Sequence, residues 1–258
     1  MRIARKTSVW LLTLAMTLSV AGVACSTGEK QTLPTPSSAS PVVTPSPSPT
    51  TSTSEPSPTP SPSQSPDPVY EGTLAKIDDV TRARMAFSWH PGCPVPIEDL
   101  RLLTMDYWGF DGRVHSGEMV VNRSVATDVL QVFGGLFDER FPIKRMRLVD
   151  EYQADDDLSM AANNTSAFNC RTVTGGSAWS EHSYGWAIDL NPIQNPYVAS
   201  EGTVLPPKGV RFADRSLDEK GMIHAGDVVV GAFASIGWGW GGSWHSIQDY
   251  QHFSATGK

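Results

Sequence analysis

Ser180-Glu181-His182-Ser183-Tyr184-Gly185-Trp186-Ala187-Ile188-Asp189 is the stretch on which the fold turns, and Asp249-Tyr250-Gln251-His252-Phe253 answers it further along the chain. His182 and Asp189 would share a face of one straight helix. Gly185 and the strand-like Ala187-Ile188-Asp189-Leu190 argue against a helix. A turn through Gly185 that feeds a strand is expected instead, with Ile188 and Leu190 entering the core and Asp189 on the other face. The absent side chain at Gly185 lets another backbone segment come close. Ser180 is expected to hydrogen-bond the turn or to orient His182.

Two imidazoles and a carboxylate, with a second carboxylate three residues before the second His, are the inventory of a catalytic zinc site. His182, Asp189 and His252 can supply three protein ligands and leave a coordination position open. Such a set leaves the metal with a net positive charge, suited to acidifying water. Asp249 is then placed to move protons, and Arg171, shortly before His182, offers a fixed cation for a carboxylate or an oxyanion. Taken singly, a His beside an Asp is more often structural, and Arg171 alone reads as a surface ion-pair partner.

The chain begins as an export signal would. Arg2, Arg5 and Lys6 precede an uncharged, mostly apolar run over residues 9–24. Cys25 follows Gly22-Val23-Ala24, which fits a lipoprotein cleavage site; ordinary secretion after Ala24 is the alternative. Residues 25–68 are then a linker headed by that Cys, almost pure Pro, Ser and Thr from residue 31. Such a segment cannot bury enough apolar surface to offset its ordering entropy, and at roughly 3.1 Å per residue it could reach about 100 Å. Residues 69–258 form one domain. The formal net charge of −7 becomes more negative once the leader cations are lost, which argues against nucleic acid as a partner. Membrane contact is expected only through a lipid anchor at Cys25, and the domain is expected to be a monomer. Of the three cysteines, Cys93 and Cys170 remain after Cys25 is set aside; in an exported chain they suggest a disulfide, with two buried thiols as the alternative.

Within the domain, residues 97–103 have helix-like spacing and 103–109 read as a strand closed by Asp111-Gly112. Residues 114–121 read as a strand or the lead into a helix. Residues 124–137 read as a helix with Ser124 as N-cap, and 143–148 alternate as a half-buried strand. The acidic stretch 152–164 is expected as a loop or short helix near a cleft, 191–205 as a long loop, 228–236 as a helix, and 237–242 as a turn into the strand that carries His252. Helices and strands mix without a βαβ repeat, so the fold class is α+β with an antiparallel sheet.

Ser-x-His-x-x-Gly-x-Ala-x-Asp followed by Asp-x-x-His-Phe resembles the zinc D-alanyl-D-alanine carboxypeptidase family, which includes vancomycin-resistance dipeptidases and phage L-alanyl-D-glutamate endolysins. The likeness spans residues 93–253 and takes in Phe168-Asn169-Cys170-Arg171, Ile188-Asp189-Leu190-Asn191-Pro192 and the Trp238 to Trp244 segment. It implies a Hedgehog/DD-peptidase-like fold with a small antiparallel sheet and flanking helices. It implies Zn2+ on His182, Asp189 and His252, Asp249 as the catalytic acid/base, and Arg171 as the cation for substrate or transition state. It further implies peptidoglycan stem peptides as substrate, the terminal D-Ala-D-Ala bond first and an L-Ala-D-Glu-type endopeptidase cleavage second. A non-catalytic wall-binding lipoprotein and a zinc peptidase acting on proteins are the readings from other classes. Two departures stand out: Asp249 where the dipeptidase and carboxypeptidase branch has Glu, and Ser243 where relatives often have Asp.

The remaining aromatic and imidazole groups receive smaller roles. His90 and His224 read as surface or loop residues, His115 as structural, and His245 as a residue that could line the pocket. Trp179, Trp186, Trp238, Trp240 and Trp244 cluster around both motifs, some for the core and others for the wall of a substrate groove.

Overall fold

The computed structural model describes residues 67–173 and 175–258. The leader, Cys25 and the Pro/Ser/Thr-rich linker through residue 66 lie outside the described residues. Strand β1 (Gly72–Lys76) pairs antiparallel with β2 (Leu100–Gly109), and β2 pairs antiparallel with β3 (Val114–Asn122) through the Asp111-Gly112 turn. The short helix α1 (Asp79–Arg84), capped by the Asp78 carboxylate accepting from Thr81 N at 2.7 Å, lies between β1 and β2.

Strand β2 begins earlier than expected. Only Ile97–Asp99 forms a 3₁₀ turn, and Leu100 is already paired with Asn122. The helix-like spacing arose because β2 is covered on both faces. Leu103 enters the main core with Met105 and Tyr107, whereas Leu100 and Leu102 join a second cluster with Met85, Val120 and Phe168. Two period-two faces superimposed imitate a 3.6 period.

Helix α2 (Ala126–Asp138) buries Ala126, Val129, Val132, Phe133, Leu136 and Phe137, the stripe of a helix packed on a sheet. Ser124 is not its cap: no side chain caps this helix, and the Ser124 hydroxyl donates to Asn122 Oδ1 at 2.8 Å. The expected strand over 143–148 shrinks to β4 (Pro142–Ile143), parallel to β2, plus an isolated bridge from Met146 to Thr165. Asparagine side chains replace the ladder there, since Lys144 N donates to Asn191 Oδ1 and Arg147 N to Asn164 Oδ1. The acidic stretch holds a short helix, α3 (Asp156–Ala161), capped by Asp155.

The second half of the chain builds two further small sheets. One has the order β5 (Ala187–Asp189), β10 (His252–Ser254), β8 (Gly239–Trp240). The other has the order β7 (Val204–Leu205), β6 (Tyr197–Val198), β9 (Gln248–Asp249). Apart from the parallel β2–β4 contact, all named strand pairings are antiparallel, so the architecture is α+β with small antiparallel sheets. Helix α4 (Val228–Ser235), capped by Asp227, is apolar up to its last residue and packs behind β10, where Phe233 stacks on Phe253 with ring centroids 4.2 Å apart. Ile188, Leu190, Phe253 and Trp240 belong to the same core cluster as Met105 and Phe133, so one core supports both the large sheet and the β5–β10 pair. Among the described residues no helix is long and apolar enough to cross a membrane.

Cys93 and Cys170 are bonded, with Cα atoms 5.8 Å apart. The bridge ties the segment before β2 to the residue adjoining Arg171, across a sequence separation of 77. Closing so long a loop restricts the unfolded chain, so the double variant Cys93→Ser/Cys170→Ser should lose about 2–4 kcal/mol in urea unfolding. An unchanged unfolding midpoint would show that the bridge contributes nothing to stability.

Candidate metal centre

Ser180 starts a 3₁₀ turn, Glu181–Tyr184, by accepting from His182 N at 3.3 Å. Gly185 ends it at φ +68°, and a Cβ at this position would stand 2.5 Å from Asn122 N. The close approach is what lets Asn122 hold the turn, donating from its backbone N to Gly185 O and from its side chain to Tyr184 O, each at 3.0 Å. Strand β5 follows, and its register with β10 sets Asp189 opposite His252 and Ile188 opposite Phe253. Ile188 and Phe253 are fully buried in the core, which sends Asp189 and His252 to the opposite, cleft-facing side.

There His182 Nε2, Asp189 and His252 Nδ1 converge. His182 Nε2 lies 3.2 Å from Asp189 Oδ2 and 3.3 Å from His252 Nδ1, and His252 Nδ1 lies 3.0 Å from Asp189 Oδ1. Zinc–ligand bonds near 2.0–2.2 Å in a tetrahedron require ligand atoms about 3.3 Å apart, so this triangle fits such an ion. The outward nitrogens fit as well. His182 Nδ1 is 2.6 Å from Ala167 O, and His252 Nε2 is 3.1 Å from Lys258 O. Each ring therefore donates to a main-chain oxygen, and its other nitrogen is the one aimed at the centre. The three residues that the sequence offers as ligands lie together here and could hold a metal ion.

The electrostatics are those of a tightly coupled buried cluster. Burial alone would raise the Asp189 carboxyl, but the adjoining His182 and His252 hold it well below the usual carboxylate range. Burial opposes charge on His252, yet the hydrogen bond and charge of Asp189 lift it to about 9. Asp249 sits on β9, paired with Tyr197 of β6, and its Oδ1 is buried without a hydrogen-bond partner. Burial, and then the charge of Asp189, push Asp249 up to about 7.

Arg171 lines the same cleft, but it is not free. Its guanidinium meets Asp156 of α3 at 2.7 Å, and Ser183 Oγ fixes its backbone by accepting from Arg171 N at 2.9 Å and donating to Arg171 O at 2.6 Å. Burial pushes Asp156 above its ordinary range, with Arg171 opposing that rise. The sequence placed the acidic stretch near the cleft without singling out Asp156; no local motif marks it. The cleft, about 330 Å³, also takes in Trp179, Trp244 and Tyr197. Trp238 and Trp240 are core, and Trp186 donates to Ser124 Oγ away from the site. His245 is exposed and does not line the cleft. His115 pairs with Asp111 at the β2–β3 turn, His90 is exposed, and His224 lies half-buried in a loop.

Residues 174–255 match the family model described as D-alanyl-D-alanine carboxypeptidase. This segment is similar to that peptidase family. It contains His182, Asp189, Asp249 and His252, and Arg171 lies just upstream of it. No curated protein and no solved structure gives a significant match.

A metal on this triangle would compete with the proton on His252. The folded value of about 9 lies above the ordinary 6.5, so the metal-free domain keeps this stabilisation below pH 6.5 and loses it as pH rises through 9. Zinc taken up there would expel that proton and bind more tightly over the same window. Thermal melts between pH 6 and 9.5 should therefore show a zinc-induced rise in Tm that grows with pH. A rise independent of pH would contradict the assignment of His252 as a ligand.

Proposed function

We propose that the chain is an exported zinc-dependent peptidase that hydrolyses peptidoglycan stem peptides, most directly as a D-alanyl-D-alanine carboxypeptidase with a Hedgehog/DD-peptidase-like fold. The observation that carries this reading is the His182–Asp189–His252 triangle in a cleft with the buried Asp249 carboxylate, all within the family-matched segment. A zinc ion held by the triangle supplies Lewis acidity toward the scissile carbonyl and toward water. Asp249, raised to about 7, is suited both to take a proton from the attacking water and to return it to the leaving amine. Arg171 places its guanidinium on the cleft wall, held there by Asp156 and Ser183. The leader of residues 1–24 and Cys25 support export followed by lipid anchoring, with the linker spacing the catalytic domain from the membrane.

One observation favours a second reading. Because Asp156 already neutralises Arg171, a substrate C-terminal carboxylate would meet a paired cation. That suits an endopeptidase, for example at L-Ala-D-Glu, which has no terminal carboxylate to grip.

Two experiments test the proposal. His182→Ala and His252→Ala should each lose metal and activity together, whereas Asp249→Ala should keep metal and lose about 10²–10⁴-fold in kcat. Full activity in Asp249→Ala would remove it as the acid/base. Mass spectrometry of muropeptides incubated with the zinc-loaded protein should show chelator-sensitive loss of one terminal alanine from pentapeptide stems. Cleavage inside the stem would establish the endopeptidase, and no cleavage at all would overturn the wall-peptide substrate.

A further inference from the structure

The segment that follows β10 folds back beneath the metal triangle. Ala255 N donates to Trp186 O at 2.9 Å, and Gly257, at φ +73°, turns the chain. The Lys258 main-chain oxygen then returns to β10, accepting from Ser254 Oγ at 2.8 Å and facing His252 Nε2 at 3.1 Å. Trp244 secures the same segment. Its Nε1 donates to Gly257 O at 3.0 Å while its ring leans on the His252 ring, centroids 5.6 Å apart. Position 239 must be small for this to happen, since a Cβ on Gly239 would fall 2.6 Å from the Gly257 Cα.

Of the two candidate ligand rings, His182 is fixed from within the body of the domain, by Ala167 O. Among the described residues, His252 Nε2 takes its acceptor from the tail alone. An oxygen at Nε2 selects the tautomer with its proton there, sets the rotation of the ring, and leaves Nδ1 as the lone-pair donor toward Asp189 and His182. We propose that the tail segment 255–258 is a positioning element for His252, and that its main-chain oxygen at Lys258 sets the metal affinity of the site. The inference rests on reading His182, Asp189 and His252 as metal ligands.

The test is a zinc titration of the metal-free full chain against a chromophoric chelator, beside a chain ending at Thr256. The intact chain should bind one zinc, and the shortened chain should bind about 10–100-fold more weakly. Equal affinities would overturn the role of the tail while leaving the metal site standing. Failure of the intact chain to bind zinc would overturn the metal reading and the inference with it. Lys258→Ala keeps the main-chain oxygen and should stay within about twofold of the intact chain; a large loss there would move the role to the ammonium group and overturn the main-chain assignment. Should the shortened chain fail to fold, nitrogen-15 spectra of the intact zinc-loaded protein decide the matter. His252 should show an Nε2 proton protected from solvent exchange, and a freely exchanging one would refute the contact.

Discussion

Asp189 and His252 stand opposite each other on β5 and β10, while Ile188 and Phe253 stand opposite each other on the reverse of the same two strands. The site depends on that register. A slip of one residue would drive a carboxylate and an imidazole into the apolar core and expose Ile188 and Phe253, a change that costs twice over. The core residues therefore do more than stabilise: by demanding their own burial they dictate which side chains face the cleft. His182 is added from the adjoining turn, whose path is fixed by the close contact between Gly185 and Asn122.

The charges follow from the same arrangement. Three ionisable groups lie within hydrogen-bond distance of one another in a buried site, and Asp249 adds a fourth nearby. Without a cation the cluster balances itself by leaving a proton on His252 and lifting Asp249. Arg171 takes no part in that balance, because Asp156 claims it. The candidate centre is thus a place where a divalent ion would replace a proton rather than fill a neutral hole.

The candidate triangle was legible through two short motifs and their resemblance to a known family, although 63 residues separate Asp189 from His252. Gly185 marked a turn, and Ala187-Ile188-Asp189-Leu190 showed which residues face inward. Asp156 and Lys258 were not legible, since each reaches the site only through the tertiary path of a loop or a tail. The same distinction explains the secondary-structure errors. Strand β2 was misjudged at its start because both faces are buried, and residues 144–148 were misjudged because Asn164 and Asn191 side chains satisfy the backbone there. Ser124 had the right residue type for a helix cap but spends its hydroxyl on Asn122. Cys93 and Cys170 could be paired from the sequence only by elimination and compartment, and the bridge is present.

Phe233 never touches the cleft, yet it stacks flat on the back of the strand that carries His252. Helix α4 is in this sense a hand resting on the rear of the candidate metal site. A cavity opened beneath it would let β10 rock, and that movement would reach the buried charged cluster before it reached the rest of the fold. Damage to a helix remote from the cleft would then be felt first at the candidate centre.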